Sequence, residues 1–212
     1  MSAMVKGMAL LAAVACAVPA ARAQSAPPAA PPAAPAKAAA PSLVPADFTV
    51  PTLAQGPGFK LLPLGPDLVK VDFDAYMSSI EHLQKTFSRS TGWPHKDISA
   101  DDAMKDMENE QARFQARKSF AYGVLTPDGT RERGSVYVSP SPVPGYDAMV
   151  RMWVTQADHD AGFDAELYAW VVQWVASEWP FARVAYPGRA IDWATWDPLV
   201  AANKTSKPVA AN

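Results

Sequence analysis

Cysteine is almost absent from this chain. Cys16 is the only one among 212 residues, so everything beyond it has no thiol nucleophile, no thiolate metal ligand and no disulfide to staple a fold. Stability must come from packing. Long apolar runs are missing as well, since no stretch reaches the roughly 18 uninterrupted apolar residues of a spanning helix. Basic clustering is missing too. Lys and Arg total 19 against 21 Asp and Glu, a net charge of −2, and their dispersal excludes the electrostatic footprint of a nucleic-acid binder. No Gly-x-Ser-x-Gly turn occurs, which removes the strained nucleophile of a serine hydrolase.

What is present begins with a leader. Lys6 supplies a positive n-region, Met8 to Val18 a short apolar h-region, and Ala21-Arg22-Ala23 a small-x-small cleavage site. Residues 1–23 therefore read as a signal peptide, and the protein is expected to be exported, periplasmic or secreted. Ala13 stands where a lipidation site wants a large aliphatic residue, so lipoprotein attachment through Cys16 is not expected. Residues 24–57 form an Ala/Pro-rich linker, almost wholly Ala and Pro from Ser25 to Pro45, of the kind that stays extended at about 3.1 Å per residue. Residues 199–212 read as a disordered tail. One domain, 58–198, remains.

Within it the apolar period changes in an informative order. Gly58 to Leu62 reads as a strand, and Tyr76, Ile80, Leu83 and Phe87 have the spacing of one helical face. Ser99 with Asp102 three residues on is a variant capping box that opens a second helix, with Ala103, Met107 and Phe114 along it. Phe120 to Leu125 and Ser135 to Ser139 are strands joined through Thr126-Pro127-Asp128-Gly129-Thr130, a hairpin turn. Ala148 to Val154 is the next strand. Phe163, Leu167, Trp170, Val171, Trp174 and Val175 give a broad helical stripe ended by Pro180, and Ala182 to Tyr186 a last strand before Pro187-Gly188-Arg189. The order β-α-α-β-β-β-α-β specifies an α+β fold with helices covering a mixed sheet.

That order resembles a GNAT-like N-acetyltransferase, of the acyl-CoA N-acyltransferase superfamily. The segments that carry the likeness are Phe59-Lys60-Leu61-Leu62-Pro63-Leu64, Phe120 to Leu125, Gly134 to Val138 and Val150-Arg151-Met152-Trp153-Val154. The resemblance implies a mostly antiparallel sheet with helices on both faces. It also implies that the strand Ala148 to Val154 splays from Ala182 to Tyr186, with acyl-CoA in the gap and a Gln/Arg-x-x-Gly-x-Gly/Ala loop opening the intervening helix. Here that loop is Gln156 to Gly162, with one glycine, and Asp158, Asp160, Asp164 and Glu166 gather there. Pyrophosphate needs free N–H groups without competing negative charge, and at about 4 Å two like charges near a surface repel by up to ~4 kcal/mol. No cofactor is therefore expected, and acetyl-CoA belongs only to the alternative below.

Other residues can be read for chemistry. Asp158, His159, Asp160 and Asp164 form a weak candidate for a divalent cation. His82 sits beside the apolar face of the first helix, where a structural or solvent-facing role is expected. Strand alternation puts Val150, Met152 and Val154 on the core face and Arg151 and Trp153 on a groove. In GNAT-like folds these strands and the loop between the first two helices line the acceptor site, so the resemblance implies that Trp93, His95, Tyr122 and Tyr137 join Arg151 and Trp153 in an aromatic pocket with one cation, suited to a small planar or anionic ligand. The reading is an exported domain that binds a small ligand or a protein, without CoA-dependent catalysis. The alternative is an N-acetyltransferase passing an acyl group from acyl-CoA to an amine, with Tyr137 or Tyr186 as proton donor; a third reading is a structural module on an Ala/Pro stalk.

Mass spectrometry of a periplasmic or secreted fraction should find an N-terminus at or near Gln24. Recovery of an uncleaved cytoplasmic chain starting at Met1 would overturn the leader.

Overall fold

The computed structural model describes residues 42–206; the leader, Cys16, linker residues 24–41 and tail residues 207–212 lie outside the described residues. Two of the expected boundaries move. Residues 42–57 are not linker, because Val44 is 3% exposed, Leu43, Phe48 and Val50 pack on the main core, and Arg117 donates to the carbonyls of Pro45 and Phe48. The segment then enters the sheet as β1 (Ala54–Gly56), antiparallel to β2 (Phe59–Pro63). At the other end, residues 199–206 belong to a helix, and the reading as tail was mistaken there.

After β2 come α1 (Val69–Met77) and α2 (Ile80–Leu83), which runs on into a π-helical turn, Gln84–Ser88. Ser99 caps α3 (Ala100–Gln115) as expected, its hydroxyl accepting from the Asp102 N–H at 3.1 Å while Asp102 accepts from the Ser99 N–H at 3.3 Å. Strands β3 (Phe120–Leu125), β4 (Glu132–Ser139) and β5 (Ala148–Val154) follow. The hairpin turn is held by Asp128, which accepts from the Thr126 hydroxyl at 2.6 Å and the Thr130 N–H at 3.1 Å, with Gly129 at φ 79°. Then come α4 (Gln156–Asp160), α5 (Phe163–Glu178), β6 (Val184–Ala185) and α6 (Trp193–Ser206).

The six strands lie in sequence order, antiparallel except for the parallel pair β5–β6. Helix α5 covers one face, where Phe163, Leu167, Val171 and Trp174 meet Val136, Val150, Met152 and Val154. Helices α1 to α3 cover the other, where Ala75, Tyr76 and Leu83 meet Trp153, and Met107 meets Leu64 and Ala121. The α+β class, the mostly antiparallel sheet and the helices on both faces stand as read.

Because both faces are covered, the groove face expected on β5 is a second core. Trp153 is 2% exposed. Trp153→Ala should therefore cost about 3–5 kcal/mol, read from the urea midpoint at constant slope; a loss under about 1 kcal/mol would contradict this packing.

Candidate functional site

Strand β6 pairs with β5 only at Ala148↔Val184 and Met149↔Ala185, while β5 runs on to Val154. Past Met149 the two chains part and leave a cleft of about 280 Å³. Val150 and Met152 line it from β5, Asp164 and Tyr168 from α5, His82 and Lys85 from α2 and its π turn, and Tyr186 and Arg189 from the chain beyond β6. At this end α5 starts from Gly162 at φ 84° with no side-chain cap. A Cβ built on that glycine would meet nothing within 4 Å. The first N–H groups of this long helix thus have no side-chain competitor.

The acids expected to crowd this end are sorted by arginines from elsewhere. Asp158 is buried, and its carboxylate accepts from Arg131 at 2.6 Å, Arg133 at 2.7 Å and Thr155 at 2.7 Å. Burial pushes its carboxyl up, but these bonds together hold it below its ordinary range. Asp164 takes both arms of Arg189, at 2.5 and 2.6 Å. Asp160 accepts from Gln156 and stays exposed. Among the described residues no three His, Cys, Asp or Glu side chains gather as a metal site, which corrects the Asp158-His159-Asp160-Asp164 candidate. Each carboxylate is turned to a different partner.

His82, expected in a structural or solvent-facing role, lines the cleft. It lies 4.9 Å from the His159 ring. Burial holds its pKa below the ordinary 6.5, with repulsion from His159 adding to it. A neutral imidazole offers one ring nitrogen as a proton acceptor. Tyr186 also lines the cleft, its hydroxyl pushed up to about 12 by burial and by Tyr168. Only the adjacency of α2 to β5 in space brings His82 here.

Of the expected aromatic pocket, the structure brings four residues together. Trp93 lies 6.3 Å from Trp153, the Trp153 indole N–H reaches the Tyr137 hydroxyl at 3.3 Å, and Phe87 bridges Trp93 at 5.9 Å and Tyr137 at 5.6 Å. Arg151 stacks on Phe87 at 4.3 Å and donates to its carbonyl. Tyr122 does not belong: it points to the α5 face, where its ring meets Trp174 and its hydroxyl donates to the Pro51 carbonyl. Burial pushes the Tyr137 hydroxyl well up. His95 is not brought into this cluster, and its carbonyl accepts from the Ile98 N–H at 3.2 Å.

Beneath this cluster two carboxyls are buried together. Glu132 is fully enclosed and accepts from the Ser135 hydroxyl at 2.7 Å with one oxygen, while its other oxygen is buried without a hydrogen-bond partner near Asp72. Burial first, and the neighbouring Asp72 charge next, push Glu132 well up; burial pushes Asp72 to about 7. Two carboxyls enclosed this closely cannot both ionise cheaply.

No family model and no curated protein matches this chain. Among solved structures, a Vibrio cholerae protein assigned as a ribosomal-protein-serine acetyltransferase matches with a TM-score of 0.50 at 12% identity, over 66% of this chain and 73% of its own. A Bordetella pertussis protein assigned to the GNAT-family acetyltransferases matches with a TM-score of 0.42 at 18% identity, over 59% and 72%. The fold is GNAT-like, as the element order and the parting of β5 from β6 already indicate.

Asp72 has a sign that can be measured. Its folded pKa of about 7 exceeds the unfolded 3.8, so the folded state binds the extra proton and the stability this provides, full below about pH 4, is lost as pH rises through 7. Wild type should weaken over that window by up to ~1.4 kcal/mol per pH unit from this group. Asp72→Asn should flatten the decline in urea unfolding followed from pH 4.5 to 7.5; an unchanged slope would remove the buried acid pair.

Proposed function

We propose that this protein is an acyltransferase that holds an acyl-CoA donor in the cleft between β5 and β6 and passes the acyl group to an amine. The observation that carries the reading is the cleft itself, opened by the early end of strand pairing beside the uncapped start of α5. Its walls suit a long anionic donor. Lys85, Arg151 and Arg189 bring three cations to the lining against one carboxylate, Asp164, which Arg189 already engages. Helix N–H groups and these cations would hold the phosphates, and the apolar floor of Val150 and Met152 the acyl arm. When bound, the donor supplies an activated thioester carbonyl.

The remaining work falls to side chains of this chain. His82, kept neutral, takes the proton from the incoming ammonium or amine. Tyr186, with its hydroxyl held protonated to about pH 12, can return a proton to the departing thiolate. Tyr137 is enclosed by Phe87 and Trp153 and lies outside the cleft lining, so Tyr186 is the better donor of the two. Arg151 borders the cleft and positions rather than reacts.

One observation favours a second reading, in which the cleft binds an anionic ligand without turnover: the leader-like residues 1–23 would carry the domain out of the cytoplasm, where acyl-CoA is made. The partner is then a small molecule in the same cleft. No described helix is long and apolar enough to cross a membrane.

Thermal unfolding with acetyl-CoA at ~1 mM separates these readings from neither. A donor present at 100 times its Kd stabilises by about 2.7 kcal/mol, and Arg189→Ala should abolish that rise. His82→Gln should keep the rise but lower transfer to an amine by ~10²-fold or more and remove the acidic limb of the pH–rate profile. Stabilisation with no transfer to any amine supports the binding reading, and no stabilisation refutes the acyltransferase reading.

A further inference from the structure

We propose that the open groove between β1 and the C-terminal half of α5 is a binding site for a neutral oligosaccharide of N-acetylated hexosamines. The groove measures about 370 Å³ and lies at the β1 edge of the sheet, whereas the cleft between β5 and β6 lies at the other. No residue lines both. The proposal does not rest on acyl transfer.

Helix α5 carries two stripes. Phe163, Leu167, Val171 and Trp174 pack on the sheet, while Trp170, Gln173, Trp174 and Ser177, at i, i+3, i+4 and i+7, line the groove. Trp174 belongs to both and is 6% exposed, so it ties the groove to the core. Trp170 stacks on it, with ring centroids 5.6 Å and planes 15° apart, and Phe59 meets Trp170 edge-on at 5.0 Å. These two contacts fix a half-buried indole in one orientation. The chain entering β1 adds Pro51 and Leu53, and Leu53 is 53% exposed. Apolar surface left open beside a polar rim is the mark of a ligand groove.

The choice of ligand comes from that rim. The carboxamides of Gln55 and Gln173 are exposed, line the groove and hold no hydrogen bond among the described residues. Ser177 spends its hydroxyl proton on the Trp174 carbonyl, which leaves its oxygen to accept. A carboxamide both donates and accepts, as do a sugar hydroxyl and an acetamido group, so rim and ligand match without charge on either. Glu178 is the only charged residue on the lining. It accepts from hydroxyls and repels an anion, and with no cation on the lining a phosphate or carboxylate finds no partner. A pyranose ring carries C–H groups on its faces and hydroxyls around its edge. The C–H face suits the electron-rich face of the Trp170 indole, the edge suits the two carboxamides, and the acetamido methyl suits the surface of Pro51 and Leu53.

The test is isothermal titration calorimetry of the full chain with tri-N-acetylchitotriose at pH 7. Saturable binding is expected at roughly millimolar concentrations or below, the range open to a ligand held by one aromatic face and a few neutral hydrogen bonds. Cellotriose, which lacks the acetamido groups, should bind about tenfold more weakly or worse, because the hydrogen bonds of those groups are lost. Gln55→Ala combined with Gln173→Ala should weaken the acetylated sugar by about tenfold at an unchanged urea midpoint, and Trp170→Ala should abolish its binding. Absence of saturation, equal affinity for cellotriose, or full affinity in the folded double variant overturns the proposal. So does tighter binding of tetra-alanine, which would assign the groove to an extended peptide paired along β1, the edge strand of the sheet.

Discussion

The pairing between β5 and β6 stops after two residues, and the cleft exists because of that. Pro187 follows after Tyr186 and has no N–H to offer a neighbouring strand. Gly188 then takes φ 75°, and its N–H closes onto the Ile191 carbonyl at 2.7 Å. The chain curls on itself instead of continuing beside β5. A Cβ at Gly188 would stand 2.5 Å from the Trp193 indole nitrogen, so glycine is required here both for the backbone angle and for the close approach of α6. Trp193 is thereby seated at the cleft rim, with Arg89 4.3 Å above its ring and Arg151 at 5.7 Å. Arg89 in turn grips Asp197 on the same helix at 2.8 and 3.0 Å. One turn that cannot pair thus opens the cleft and fastens its edge.

Charge follows a similar logic. Read along the chain, residues 156–166 look hostile to an anion, yet in space Asp158 belongs to the β4 arginines and Asp164 to Arg189. Such pairings set the local potential, because opposite charges in contact cancel at the distances where a ligand would feel them. Arg131, just before β4, and Arg133, on it, flank Glu132, and alternation sends them away from it, towards Asp158. Glu132 turns inward to Asp72. The same three-residue run therefore neutralises one acid and buries another.

This explains what the sequence made legible. Strands β3 and β5, the capping box of α3 and helix α5 were readable because each is decided by local chemistry: apolar period, a Ser–Asp cap, a Pro stop. Residues 42–57 and α6 were not, since Ala, Pro and an internal Pro198 argue for extended chain, and it is burial of Val44 and Trp196 that draws them in. In the site, alternation on β5 correctly separated Arg151 and Trp153 from Val150 and Met152. It could not reveal that helices cover both faces, nor that Tyr122 belongs with Trp174 rather than Tyr137. His82 needed tertiary proximity to β5, and Asp72 with Glu132 lie 60 residues apart in chain order, beyond any local pattern.

Two cavities of different lining thus meet where Arg151, on the wall of the cleft, stacks on Phe87, on the wall of a cavity between α1 and α3. On one side Lys85 and Arg189 give a basic lining, and on the other Asp106 and Glu110 give an acidic one. Arg151 is fixed between them by its bond to the Phe87 carbonyl and its stacking on that ring. A guanidinium cannot shed its charge at ordinary pH, so this wall stays positive whichever ligand approaches. It adds to the positive potential of the cleft lining. A chain with net negative charge can in this way hold a cation-lined cleft, because the excess acids are spent elsewhere.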